Sequence, residues 1–459
     1  MAESKRSALP RSGLSEVSEL LRSKRLSPLE LTEACLGRIE ALNPELNAFI
    51  TVTADMALAQ ARVAEAEIQR GNWRGPLHGI PLAFKDLIDV AGVPTTAASR
   101  VFENRVPTED SEVVRRLKAA GAVIIGKNNL HECAYGGSGV ISHYGPAKNP
   151  HYPGRTTGGS SSGSAAAVAA GLCYGAIVSD TAGSIRLPAA FCGIVGFKPT
   201  YGLVSARGVM PLSWSLDHIG PMARSVTDAA LILAAIAGYD PADPTSREIA
   251  VEDYAAAVRA PSPKLRVGVP RKFFYEDLDS EVARVVEAAL RAVAGLAAEM
   301  REVSVPVDND RTVAKAESYA CHAPNLPQNA DKYDPETLRR INTGADVSVR
   351  EYIAKLHELE LLRRSAAEIF KDVDVIVTPT TPVPPPLAAE LQADMSRLRE
   401  RELVMLRNTR PFNVLGLQAI SVPCGETSAG LPVALQIAGP AGAEARLLGF
   451  ARAFSQSES

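Results

Sequence analysis

The stretch GGSSSGSAAAVAAGLCYGAIVSDTAGSIRLPAAFCGIVGFKPT, residues 158–200, decides how this chain is read. Two hydroxyl-rich glycine loops stand at either end of an Ala-rich helical segment and a short apolar strand. That order brings two serines to the same edge of a sheet. Gly159, Ser161 and Gly163 also satisfy G-x-S-x-G, the strand-to-helix elbow of α/β hydrolases. That motif needs a strand directly before its serine, and the residues HYPGRTTGG that precede it are coil, so the elbow reading is set aside.

Upstream, the sequence GPLHGIPLAFKDLIDVAGVPTT opens at Gly75 and places a short apolar strand, residues 80–84, immediately before Lys85, Asp86 and Asp89. A lone lysine at a strand exit is ordinarily solvated; the apolar approach sets this one apart. Residues 14–69 show apolar spacing of helical period, with Ser27, Pro28 and Glu30 as an N-terminal cap, and predict a helical preface outside the core. A helix over 109–121 and a strand over 122–125 follow. Gly121, Gly126 and Lys127 fit G-x-x-x-x-G-K. A phosphate cradle needs a loop of free N–H groups, whereas Ala-Val-Ile-Ile is strand material, so nucleotide binding is excluded. His131 and His143 are read as structural.

Downstream, helices are predicted over 227–237, 280–299, 349–370 and 396–407, and strands over 265–270, 373–377, 419–422 and 433–438, with a terminal helix from 444. Residues 308–346 read as polar and irregular. The alternation of strands and helices, without an evident linker, predicts one large α/β domain over 1–459: a mixed, mostly parallel sheet sandwiched between helices. Within it, 1–70 form the preface, 75–225 the catalytic core, 226–390 a variable pocket region and 391–459 the C-terminal part of the core.

The 459 residues are 46% apolar and 22% charged, with a formal net charge of −3. This predicts a soluble protein with a large core and offers no field for a polyanion, so the expected partners are a small-molecule substrate, no nucleic acid and no membrane, with a homodimer left open. The six cysteines lie far apart without metal-ligand spacing and are read as buried free thiols; neither a metal nor a cofactor is expected. No apolar run has signal-peptide character or spans a membrane, which makes the expected compartment cytoplasmic.

Three separated pieces, FKD at Lys85, GGSSSGS at Ser160 and SDTAGSIRLP at Ser184, together resemble the amidase signature family. The resemblance continues through GAVIIGKNNLHECAYGG, AAFCGIVGFKPTYGLVS, SLDHIGPMARSVTDAA, PFNVLGLQAISVPCG and GLPVALQIAGP. It implies Ser184 as the nucleophile, Ser160 as a bridging serine whose peptide bond with Gly159 is cis, and Lys85 as the terminal base. Lys85 stands 75 residues before Ser160, and Ser160 24 before Ser184. It further implies an oxyanion hole from the N–H groups of Thr181, Ala182, Gly183 and Ser184, with Asp180 and Arg186 organising the loop. The chemistry explains the residue types, because a serine hydroxyl needs a base to become a nucleophile, and a lysine with an ordinary pKa of about 10.4 becomes one only when burial lowers it.

The implied activity is hydrolysis of C–N bonds in small, mostly apolar amides, with aryl ester, carbamate (urethane) or urea-type side activity. The acyl pocket is expected at Ala134, Tyr135, Gly136 and Gly137, helped by the loops after Met210 and by residues 308–346. One departure, Ala182 where the family commonly has glycine, resembles allophanate hydrolases and points to a wider choice of leaving group. The alternative is the glutaminase component of a tRNA-dependent amidotransferase, its A-type chain. Such chains hold the glutamine ammonium with an acidic residue shortly before T-x-P, where this sequence offers Leu406, Arg407 and Asn408.

Overall fold

In a computed structural model, which describes residues 12–457, one eleven-stranded sheet runs through the chain. The strands are β1 (Phe49–Val52), β2 (Pro81–Lys85), β3 (Val123–Asn128), β4 (Gly175–Asp180), β5 (Val195–Lys198) and β6 (His218–Ala223). The remainder are β7 (Arg266–Val269), β8 (Glu299–Glu302), β9 (Val375–Pro379), β10 (Gln418–Glu426) and β11 (Pro432–Gly439). Their order is β1-β3-β2-β4-β6-β5-β10-β11-β9-β7-β8.

The sheet is mixed, as expected, but not mostly parallel: its parallel pairings are confined to two blocks, β3-β2-β4 and β9-β7-β8, and the other pairings are antiparallel. The centre is antiparallel because β10 and β11 form a hairpin closed by the Thr427 to Leu431 turn, in which the Thr427 N–H donates to the Leu431 carbonyl at 2.8 Å. Both β2 and β4 are buried along their whole length. Side chains on both faces of such strands meet helices, so each strand reads as a nearly continuous apolar run. The helix Ser162–Ala169 packs on β4, β2 and β6, and its Ala, Ser and Gly side chains allow a close approach.

Two further expectations are corrected. The preface is not helical throughout: the helices Leu14–Arg22, Pro28–Leu46 and Ala54–Gln69 are interrupted by β1, a four-residue run too short to show its own period. Residues 1–11 of the expected preface lie outside the described residues. Nor is the segment 308–346 irregular. It forms the helices Thr312–His322, Leu326–Asn329 and Pro335–Asn342, the last started by an Asp334 carboxylate that accepts from the Glu336 N–H at 2.9 Å, with Pro335 at the first position. Their buried positions are largely polar, Glu317, Ser318 and His322 in the first and Thr337 and Arg340 in the last, so apolar residues do not mark the buried face. Five of the six cysteines are buried and Cys321 is half-buried.

The G-x-x-x-x-G-K resemblance is strand, as expected. Gly126 and Lys127 lie within β3, and the buried Lys127 ammonium pairs with Asp86 at 3.0 Å and donates to the Thr95 hydroxyl at 2.7 Å.

Candidate active site

Because β2 and β4 are adjacent and parallel, their C-terminal ends share one edge of the sheet. Lys85 closes β2, Ser160 lies in the loop before the helix Ser162–Ala169, and Ser184 lies between β4 and the helix Arg186–Phe191. The Lys85 side chain is fully buried, and its Nζ donates to Ser160 Oγ at 2.6 Å and to Ser179 Oγ at 2.9 Å. The Ser160 backbone N–H donates to Ser184 Oγ at 3.1 Å. Three residues far apart in sequence thus form one polar line, Lys85 to Ser160 to Ser184.

Burial lowers the Lys85 pKa to about 7, against the smaller opposing attraction of the Asp217 and Asp180 carboxylates. The amine is therefore substantially neutral near neutrality and owns the lone pair that a base needs. Sequence reasoning missed two members of this neighbourhood. Ser179 is the second hydroxyl on the Lys85 amine; its signal was a polar residue near the end of an otherwise apolar strand. Asp217 accepts hydrogen bonds from the Thr181 hydroxyl and from the N–H groups of Leu212, at 2.8 Å, and Ser213, at 3.0 Å. Burial still pushes its carboxyl up to about 6. Nothing local in SLDHIG marks Asp217, which reaches the site through a loop.

The expectation of a cis Gly159–Ser160 bond is corrected, since all peptide bonds among the described residues are trans. Gly158 and Gly159, at φ +71° and +62°, turn the chain toward Lys85 without it.

Asp180 and Arg186 organise the loop that carries Ser184, as the sequence suggested. Both are fully buried, 3.0 Å apart. The Asp180 carboxylate accepts from the N–H groups of Gly183 at 2.6 Å and Ile185 at 3.0 Å, and from the Asn413 amide at 2.8 Å. Arg186 also donates to the Thr409 carbonyl at 2.8 Å and the Gln436 amide oxygen at 2.7 Å. Burial drives the Asp180 pKa up, but the Arg186 charge and hydrogen bonds outweigh it and hold the carboxyl well below the usual range. Removing one partner from such a buried pair leaves a desolvated charge, so Asp180→Asn is expected to cost about 3–5 kcal/mol in denaturant unfolding and to disorder the loop.

Of the expected oxyanion-hole donors, Gly183 is committed to Asp180, while the N–H groups of Ala182 and Ser184 meet no acceptor among the described residues. A Cβ on Gly183, at φ +141°, would stand 2.1 Å from Thr409 Oγ1, so only glycine fits there.

Of the expected pocket residues, Ala134, Tyr135 and Gly136 line a cavity of about 40 Å³ that also opens onto Ser184, Thr181 and Ala182. Gly137 does not line it; its carbonyl accepts the Gly159 N–H at 2.8 Å. The loop after Met210 contributes Leu212 and Leu216, the segment 308–346 contributes Arg311 and Ala314, and the C-terminal part contributes Arg399, Leu406 and Arg410. His131 sits behind Gly136, where burial lowers its pKa to about 3, so it is a neutral structural ring. Among the described residues no cluster of His, Cys, Asp and Glu has the arrangement of a metal site.

The family model described as Amidase matches residues 30–448. The chain belongs to the amidase signature family. It is 42% identical to the A-type chain of the glutamyl-tRNA(Gln) amidotransferase of Moorella thermoacetica, over 96% of each chain. Among solved structures it resembles a 6-aminohexanoate cyclic dimer hydrolase complexed with substrate, at 30% identity, a TM-score of 0.88 and 97% coverage of each chain. It also resembles the native peptide amidase from Stenotrophomonas maltophilia, at 33% identity, a TM-score of 0.84 and 97% coverage of each chain.

The first of these relatives corrects an expectation. A relative named as one component of an enzyme acting on glutamyl-tRNA(Gln) is at odds with a partner set that excludes nucleic acid, and that exclusion is withdrawn. The net charge of −3 sums the whole surface and carries no information about where the charges sit or what a companion chain brings. Among the described residues no helix is long and apolar enough to cross a membrane.

Proposed function

We propose that this amidase-family chain cleaves the C–N bond of an amide through an acyl-enzyme on Ser184. The observation that carries the reading is the buried Lys85 amine, 2.6 Å from the hydroxyl of Ser160, whose own N–H holds Ser184 Oγ. As Ser184 Oγ attacks the carbonyl carbon, its proton passes through the Ser160 hydroxyl to the Lys85 lone pair. The tetrahedral oxyanion is received by the N–H groups of Ala182 and Ser184. The C–N bond then breaks, the leaving nitrogen takes the proton back along the same line, and ammonia or an amine departs. Water attacks the ester next, Lys85 accepting its proton through Ser160, and the acid is released with Ser184 restored.

Where the nitrogen goes is a separate question. The names of the relatives, A-type chains of amidotransferases at about 40% identity over nearly the whole chain, support release of ammonia for transfer within an assembly better than they support a free-standing hydrolase of small apolar amides. The second reading, a stand-alone amidase with carbamate or ester side activity, draws support from the cavity, which has Leu406 and no carboxylate among its lining residues to hold a glutamine ammonium. To decide between them, the purified chain is given glutamine, an anilide and an aryl carbamate, alone and with the companion chains of an amidotransferase, and the released ammonia or amine is measured. The transfer reading expects glutamine turnover that needs the companions. Turnover of the anilide or carbamate by the chain alone, with glutamine untouched, overturns it in favour of the stand-alone enzyme.

A further inference from the structure

The cavity beside Ser184 is not the apolar pocket that the surrounding composition suggested. Three arginines from separate segments, Arg311, Arg399 and Arg410, line it together with Ser184. Guanidinium groups stay charged in proteins, so their convergence on one small cavity is unfavourable unless something answers it. The protein answers only part of it. Arg410 is buried and donates to the backbone carbonyls of Asp308 and Asp310, neither bond engaging a carboxylate. Arg399 lies 3.4 Å from Glu402, but that carboxylate is already held by Arg340 at 2.7 Å and by the Ser138 hydroxyl at 2.6 Å. The Arg311 side chain makes no hydrogen bond and no ion pair among the described residues.

We infer that the acyl group bound beside Ser184 carries a carboxylate, held by Arg311 with Arg399 and Arg410 supporting it. The inference rests on the reading of Ser184 as the nucleophile and names the substrate class for that site: amides of dicarboxylic or otherwise anionic acids. A guanidinium presents a planar fork that matches a carboxylate bidentately. The apolar remainder of the lining, Leu212, Leu216 and Leu406, suits a short methylene chain between that carboxylate and the scissile carbonyl. Burial and the two neighbouring arginines lower the Arg311 pKa to about 9, the direction expected of a cation placed to await an anion.

Calorimetric titration of the Ser184→Ala protein tests this without turnover. Succinamate and its neutral counterpart butanamide are compared. Charge-assisted hydrogen bonds predict that succinamate binds about 10- to 100-fold tighter, and more weakly as salt is raised. Adding Arg311→Gln is expected to erase that preference and Arg311→Lys to keep part of it. Arg339→Gln, on an exposed part of the helix Pro335–Asn342, is expected to leave it intact. Equal binding of the two amides, or a preference that survives Arg311→Gln, overturns the inference. Labelling of wild-type Ser184 by a sulfonyl fluoride is followed in parallel. Anion-selective binding without labelling retains the anion site and removes the serine mechanism, whereas labelling with no anion preference does the reverse.

Discussion

Ser184→Ala is expected to lower amide turnover by at least about 10³-fold and to abolish labelling by sulfonyl fluorides, while unfolding within about 1 kcal/mol of the wild type. The two halves of that result have different causes. Turnover falls because no other hydroxyl occupies the end of the Lys85–Ser160 line: Ser161, which fits the more familiar hydrolase motif, donates instead to the Ser179 carbonyl at 3.3 Å. Stability is nearly kept because Ser184 Oγ accepts a single hydrogen bond in the structure, from the Ser160 N–H at 3.1 Å, and one such bond contributes about 0.5–1.5 kcal/mol. Undiminished turnover in this variant would remove Ser184 from the mechanism, whatever the role of Lys85.

Lys85→Met is expected to cost as much activity and yet to stabilise the fold in acid. The side chain has no exposed surface, and its pKa near 7 lies well below the ordinary value of about 10.4. Between those two values the unfolded chain binds a proton that the folded chain does not, so the Lys85 contribution to stability rises with pH across that window. Below it the folded protein carries the full penalty of a buried ammonium, on the order of 4 kcal/mol. Methionine carries none, at the loss of two hydrogen bonds to Ser160 and Ser179. Denaturant midpoints at pH 6 and pH 9 read the effect directly: the variant gains over wild type at pH 6, and the gain shrinks at pH 9.

The same titration sets the activity profile of the wild type. Turnover requires the neutral amine, so kcat/KM is expected to rise through about pH 7 and to fall tenfold per unit below it. The Asp217 and Asp180 carboxylates face the amine and raise its pKa, so Asp217→Asn is expected to move the acid limb to lower pH. A profile flat from pH 5 to pH 9, or an unmoved limb in that variant, would show that Lys85 is not the base.

Much of this site was legible in the sequence because the features that carry it are local. A glycine-rich loop before an Ala-rich helix, a serine after a buried strand and a lysine at the end of another are each read from a few neighbouring residues. The family resemblance supplied the pairing among them. The strong strands and long helices were legible for the same reason, since burial on one face or both imposes a period on consecutive residues. The four residues of β1 and the helices between 312 and 342 were not, because a short run shows no period and a buried face built largely of polar residues shows no apolar one.

The sequence by itself determined which residue types stand at positions 85, 160 and 184, and that Asp180 and Arg186 flank Ser184. Tertiary structure alone decided what those residues are chemically. The Lys85 pKa is lowered because eleven strands and their helices remove its amine from water, a property of the whole core rather than of its neighbours in the chain. Asp217 and Ser179 enter its surroundings by the same closure. The cavity changed character in the same way: Arg311, Arg399 and Arg410 read as ordinary polar residues in three different segments, and folding brings them to one cavity with Ser184. Charge acts through space, and no spacing along the chain records it.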